Sequence, residues 1–191
     1  MAKDIKTAKE LKKKKKWVSI LAGREFNNKE IGETYVDEAE SAVGKTVTIN
    51  LMSLTGDPKR QNFNVKFKIR EAKNNQLHAD LVGYFLQVAQ KKRLSKKNKD
   101  KLEDSFEYKT KDNVHVVIKP VFTTKAMTYK SRHALIRNQS RKFIEDALKT
   151  INFSSLMREI IDGNFQREVK NAVKKFYPVN SVLVKSAGMK E

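Results

Sequence analysis

Gly44-Lys45-Thr46 ends the way a phosphate-binding loop ends, Glu38 and Glu40 stand close together, and histidines occur at His78, His115 and His133. Each group names a chemistry. The loop would cradle nucleotide phosphates, but it needs a second glycine five residues before Gly44, and Ala39 stands there. It must also follow a strand and open a helix so that free amides meet the phosphates, whereas this fragment leads into an alternating apolar run. No histidine lies three to five residues from another, and the chain has no cysteine, which removes disulfides, thiolate nucleophiles and every zinc site built on thiolates. His78 and His115 fall in alternating segments, where a strand histidine is ordinarily satisfied or exposed rather than catalytic. No nucleophile is placed beside Glu38 and Glu40. No catalytic residue, metal ligand or cofactor is therefore assigned; an enzyme acting on nucleic acid would need a site assembled from residues far apart in the chain.

Charge is the stronger signal. Lys and Arg number 41 against 22 Asp and Glu, a net +19 over 191 residues, well beyond what solubility requires. Such a surplus concentrates polyanions and speeds their capture, which favours nucleic acid or an anionic membrane. Residues 1–16 carry lysines without the apolar stretch of a signal peptide, and no run of about 18 apolar residues could span a bilayer. The expectation is a cytoplasmic protein with no membrane partner. The surplus is also sorted. Residues 1–16 carry a net +6, residues 91–101 (KKRLSKKNKDK) another +6, and residues 25–40 a net −5. Five adjacent lysines, Lys12, Lys13, Lys14, Lys15 and Lys16, repel one another and bury nothing, so 1–16 reads as a disordered basic arm that a polyanion orders. The acidic stretch reads as a protein-facing surface, since carboxylates beside phosphates are repelled.

The elements that must carry these groups follow from periodicity. Residues 45–51 alternate, with Val47, Ile49 and Leu51 on one side. Residues 61–71 do the same, with Phe63, Val65, Phe67 and Ile69 inward and Lys66, Lys68 and Arg70 outward as a cationic row. LTGDPK between them is turn chemistry. KNN at 73–75 joins the second strand to QLHADLV, and TKDN at 110–113 joins SFEYK to VHVVIK, giving two hairpins. The period then changes. A helix over 129–151 places Ile136, Phe143, Ile144, Ala147 and Ile151 on one face, with Arg137 and Arg141 stacked on its flank. A second helix covers 154–162 and stops at Gly163. A third, 164–177, turns Phe165, Val169, Ala172, Val173 and Phe176 inward and ends before Pro178. The class expected is α+β: a barrel-like or sandwich body of short antiparallel strands over 17–127, a helical cap over 128–177 and a closing strand at 178–186. Arm 1–16 and the single domain 17–191 complete the division.

Sequence-specific DNA recognition finds no support here, because there is no zinc finger, no heptad zipper after a basic helix and no helix-turn-helix. Phe63 and Phe67 could stack on bases, but they lie on the apolar side of their strand and read as core. Trp17 reads as an anchor tying the arm to the body. What remains is Lys and Arg on strand faces, one helix and two flexible segments, which suits phosphate and shape contacts to a folded RNA. A free, sequence-tolerant RNA-binding protein or RNA chaperone satisfies the same observations.

Four blocks narrow that choice: KKKKWVSILAGREFNNKEIGETYV, LMSLTGDPKRQNFNVKFKIREA, KPVFTTKAMTYKSRHALIRNQSRKFIED and FSSLMREIIDGNFQREVKNAVKKFYP. In order and without large gaps, from about residue 12 to 186, they resemble an archaeal and eukaryotic family of small-subunit ribosomal proteins, S-three-a-e in older naming and eS-one in unified naming, in its archaeal form. The resemblance implies a structural constituent of the small ribosomal subunit that supports translation without catalysis. It would sit on ribosomal RNA at the platform beside neighbouring small-subunit proteins, with messenger RNA near the exit side. It also implies RNA contacts for Lys91, Lys92, Arg93, Lys96 and Lys97 in the basic segment after the central helix, and for Arg132, Arg137, Arg141 and Lys142 in the basic helix. The stretch KKRLSKKNKDKLEDSFEYK departs most, being Lys-dominated where the family has an Arg-rich helix end.

Overall fold

The alternating rows become strands in the computed structural model, which describes residues 14–74 and 76–190. Strand β1 (Lys16–Ala22) turns Val18, Ile20 and Ala22 inward and pairs antiparallel with β2 (Glu30–Val36). Next come β3 (Thr46–Asn50), the short helix α1 (Leu51–Thr55), β4 (Phe63–Lys73) and β5 (Gln76–Leu86). Helix α2 (Val88–Arg93) leads to β6 (Lys101–Glu103), β7 (Phe106–Lys109) and β8 (His115–Thr124). Then α3 (Lys130–Thr150), α4 (Phe153–Asp162) and α5 (Asn164–Lys174) precede the closing strand β9 (Val179–Met189).

Among the described residues these strands form one mixed sheet that branches at β5. One edge of β5 takes β4 along its whole length; the other takes β1 at residues 76–79 and β9 at residues 83–85. Strand β8 runs beside β9 and carries β6 and β7 on its far edge. Every pair is antiparallel except β1 with β5. That parallel pair departs from the antiparallel body expected from sequence, because antiparallel hairpins are announced by local turns whereas this contact joins segments with the β3–β4 unit inserted between them. Both expected hairpins form. Asn74 and Asn113 take positive φ of 50° and 60° in their turns, conformations that asparagine tolerates better than most residues.

Alternation on β4 sets the layer order. Val65, Phe67 and Ile69 are fully or almost fully buried and share one core with Ile136, Ile144, Leu156, Phe165 and Val173, so the helices cover this face. Each such side chain contributes about 1.5–3 kcal/mol by leaving water. Lys66, Lys68 and Arg70 consequently stand on the other face of the sheet. Helix α4 has a remote cap: the Phe153 amide donates to the Asp112 carboxylate at 3.1 Å, which ties the β7–β8 turn to the helical layer.

Four local expectations are corrected. Leu51 is not the end of a strand but the first residue of α1, because the Asn50 side chain accepts from the Met52 amide at 2.9 Å and caps a helix there, which Gly56 ends with φ 73°. Helix α2 likewise interrupts the β-rich region. The third helix stops at Lys174, and Phe176, beyond its end, is 44% exposed. Trp17 does not enter the body: it is 65% exposed and lies against the ring of Tyr35, centroids 5.1 Å apart, so Val18, Ile20 and Ala22 anchor the strand instead.

Candidate nucleic-acid interface

Segment 91–101 begins in the last turn of α2, after β5, and runs to the start of β6, and Leu94 holds it down by packing with Leu86 and Val121. It then threads past the turn between β8 and α3. Asp100 joins the two. Its carboxylate accepts from the Thr128 amide at 2.7 Å and faces His133 Nε2 at 3.1 Å. Its backbone is paired with Thr124: the Thr124 amide donates to the Asp100 carbonyl at 3.0 Å, and the Asp100 amide donates to Thr124 Oγ1 at 2.9 Å. Thr124 is fully buried, so this clip fixes a basic loop, a turn and the first turns of α3 against the sheet.

The Thr128 amide, and after it His133, hold the Asp100 carboxyl below the usual carboxylate range. A carboxylate lowered by folding stabilises the fold above its unfolded pKa, and that contribution disappears as pH falls through the folded value. The clip is therefore engaged at neutral pH and released in acid. Asp100→Ala should lower the melting temperature and speed amide exchange at Thr128 at neutral pH, with the difference from the unsubstituted protein closing as the solution is acidified. An unchanged Thr128 amide at neutral pH would show that the clip does not hold the turn.

Around this clip, cations without a carboxylate partner gather on neighbouring segments of the chain. Lys92, Arg93, Lys96 and Lys97 are exposed, as are Lys125, Lys130 and Arg132, and none has a carboxylate partner among the described residues. Lys91 and Lys99, partly buried, are equally without one. Lys101 is used internally, bonding Glu103 at 2.6 Å and the Lys91 carbonyl at 3.2 Å. Further along α3, Arg137 approaches Asp104 at 3.9 Å, and the Arg141 guanidinium sits 5.1 Å from the centre of the Phe106 ring. Tyr108 Oη donates to the Arg141 carbonyl at 3.2 Å, so this half of α3 is bound to β7. Lys142 is exposed on the next position.

The remaining sequence-derived candidates stand apart. On the far sheet face, Arg70 pairs with Asp80 at 3.2 Å, while Lys66 lines a shallow groove of about 400 Å³ with Lys119 and Gly83. Lys68 neighbours Lys66 on the same row. Lys14, Lys15 and Lys16 are exposed, Lys15 Nζ lying 6.0 Å from the centre of the Tyr35 ring. Lys12, Lys13 and the rest of the expected arm before Lys14 lie outside the described residues. Asp100 thus ties the segment that follows 91–97 to the turn before Arg132, whereas Lys66, Lys68 and Arg70 lie on β4.

Sequence reasoning missed Tyr129 and Met127, which are 83% and 70% exposed on the turn beside the clip. An aromatic and a thioether left in water among unpaired cations form a surface on which an unpaired base can stack. The block KAMTYKSR holds the signal, an apolar and an aromatic residue interleaved with three cations. The acidic stretch lies at the opposite end of the sheet order: β2 is an edge strand with Glu30 and Glu33 exposed.

Comparison with known proteins gives a consistent result. The model of the ribosomal S3Ae family matches residues 3–190. Relatives named small ribosomal subunit protein eS1 include one from Nanoarchaeum equitans, 30% identical over 166 residues, which covers 87% of this chain and 84% of the relative. Those from Halorubrum lacusprofundi and Archaeoglobus fulgidus are each 28% identical, over 171 and 173 residues; both cover 90% of this chain, and 80% and 82% of the relative.

Proposed function

This chain belongs to the ribosomal S3Ae family, a structural, non-enzymatic component of the small ribosomal subunit in the cytoplasm, and from that premise we propose that it holds ribosomal RNA through the surface around Asp100. Lys91, Lys92, Arg93, Lys96, Lys97 and Arg132 neutralise backbone phosphates, and Tyr129 offers a face to an unpaired base. The observation that carries this reading is the gathering of unpaired cations on the end of α2, a loop, a turn and a helix start that the Asp100 clip makes rigid. Unpaired cations gain most from phosphate, because no internal ion pair must be broken first, and a rigid platform loses little entropy when RNA docks. Arg137, Arg141 and Lys142 extend the same face along α3. Lys66, Lys68 and Arg70 serve a second RNA contact on the far side of the sheet, and Lys12 to Lys16 an arm that phosphates hold. The edge strand β2, with its exposed carboxylates, faces a neighbouring small-subunit protein.

Sedimentation tests the reading. The full chain should remain with small subunits through a high-salt gradient, and crosslinks from Lys92, Lys96 or Tyr129 should land on ribosomal RNA. Release from subunits in salt, together with equal affinity for unrelated folded RNAs, would instead identify a free RNA-binding protein or chaperone.

A further inference from the structure

Trp17 is the single tryptophan of the chain, and the strand register leaves it in water. Strand β1 is flanked by β2 from Lys16 to Leu21 but meets β5 only from Ser19 to Ala22, so its first residues have a neighbouring strand on one side alone. Side chains alternate across a strand. Val18 accordingly enters the core at 2% exposure, while Trp17 projects from the opposite face of the sheet at 65%. Tyr35, 52% exposed, stands directly across from it on β2, and the two rings meet at 5.1 Å and 41°. A cross-strand contact of this kind steadies both rings yet leaves most of their surface uncovered. Apolar surface that folding leaves together in water marks a place where something binds.

The charge beside the rings is sorted. Lys14, Lys15 and Lys16 are exposed and have no carboxylate partner among the described residues. Lys15 Nζ lies 6.0 Å from the centre of the Tyr35 ring, where a cation and a ring face still attract. Carboxylates stand on the β2 side: Glu33, opposite Ser19 on the same face, and Asp37, one residue past the strand. An anion that reaches the rings is therefore steered to the lysine side of Trp17.

We propose that the Trp17–Tyr35 pair is a stacking platform for one unpaired base of an RNA strand, whose flanking phosphates lie at Lys14, Lys15 and Lys16. The two features together select this class. Ring faces without a pocket around them favour a flat partner, the lysines favour an anion, and a single-stranded nucleotide joins a planar base to a phosphate at that short spacing. Stacking on an aromatic ring tolerates any base, because every base has a π-face. An acidic peptide supplies the charge without the plane. The proposal rests on the reading of this protein as an RNA-binding subunit constituent, but it uses residues separate from the Asp100 surface.

Because Trp17 is the single tryptophan, its fluorescence reports on this site alone. The full chain is titrated with hexa-adenylate, with the abasic ribose-phosphate hexamer and with hexaglutamate. Hexa-adenylate should quench the emission saturably, as a stacked base does, while the other two should leave it nearly unchanged. Trp17→Ala should weaken binding of labelled hexa-adenylate about tenfold, the effect of one base stacked on one ring, and leave binding of the abasic hexamer unaltered. Trp17→Phe, which keeps a ring, should recover most of that loss. Equal quenching by the abasic hexamer, or an affinity for hexa-adenylate that Trp17→Ala leaves intact, would overturn the proposal. A change of emission with hexaglutamate as large as that with hexa-adenylate would also overturn it, and would identify a surface for an acidic protein segment. The comparison of ligands on the unsubstituted chain decides the matter even if a variant folds poorly. Binding of ribosomal RNA is measured in parallel: if it persists while the fluorescence test fails, the platform is dismissed alone, and if the unsubstituted chain binds no ribosomal RNA, the broader reading falls.

Discussion

Replacing Lys92, Arg93, Lys96 and Lys97 together with Ala should reduce affinity for small-subunit ribosomal RNA about a hundred- to a thousandfold near physiological salt, with the slope of log affinity against log salt smaller by about three. Each cation that neutralises a phosphate releases counterions, and the slope falls by about 0.7 to 0.9 per contact removed. All four side chains are exposed, and none has a carboxylate partner among the described residues. Their removal therefore costs no internal ion pair, and surface changes of this kind alter stability by about 0.5 kcal/mol or less each. The matched control removes four paired cations, Lys73, Lys149, Lys185 and Lys190, which are bonded to Glu71, Glu145, Glu103 and Glu107. That control should leave the slope nearly unchanged. Equal slopes for the two variants would mean that net charge alone, and not the surface around Asp100, governs binding. Filter binding or fluorescence anisotropy across a salt series reads both outcomes directly.

Phe67→Ala should destabilise the protein by about 3–5 kcal/mol, a large part of the roughly 5–15 kcal/mol that holds a folded domain together. Phe67 is fully buried at the centre of β4, and its ring meets the edge of Phe26 at 5.6 Å and 73°. Truncation removes apolar surface and leaves a cavity between sheet and helices that the surrounding side chains close only in part. Urea denaturation should show a lower midpoint with an unchanged slope, the mark of a stability change rather than an altered unfolded state. Phe176→Ala is the informative comparison. Helical spacing puts Phe176 among the inward residues, yet it is 44% exposed beyond the end of α5, so its replacement should cost about 0.5 kcal/mol or less. A small loss at Phe67 would show that the sheet collapses onto the gap and that the core is less constrained than its burial indicates.

Much of the local structure was legible in the sequence. Period-2 rows at 61–71, the asparagine turns at 73–75 and 110–113 and the 3.6-residue stripe of α3 are visible because they report which side of one element is apolar, a property of near neighbours in the chain. The block of lysines at 91–97 was equally plain, and so was the family resemblance. Chain contacts between distant residues decided the rest. No local pattern announces that β1 lies parallel to β5, that Trp17 stays in water, or that Asn50 turns a strand into a helix one residue early. The same limit applies to the interface. Arg70 and Arg93 are alike in sequence, both basic residues in basic surroundings, but Asp80 compensates the first, and no carboxylate among the described residues compensates the second. Asp100 reads as one acid diluting a basic run until Thr128 and His133 close on it. Composition determined a cationic surplus of the kind that suits a polyanion; tertiary structure decided which cations are left without a carboxylate partner, because charge compensation and rigidity depend on partners that folding brings from far along the chain.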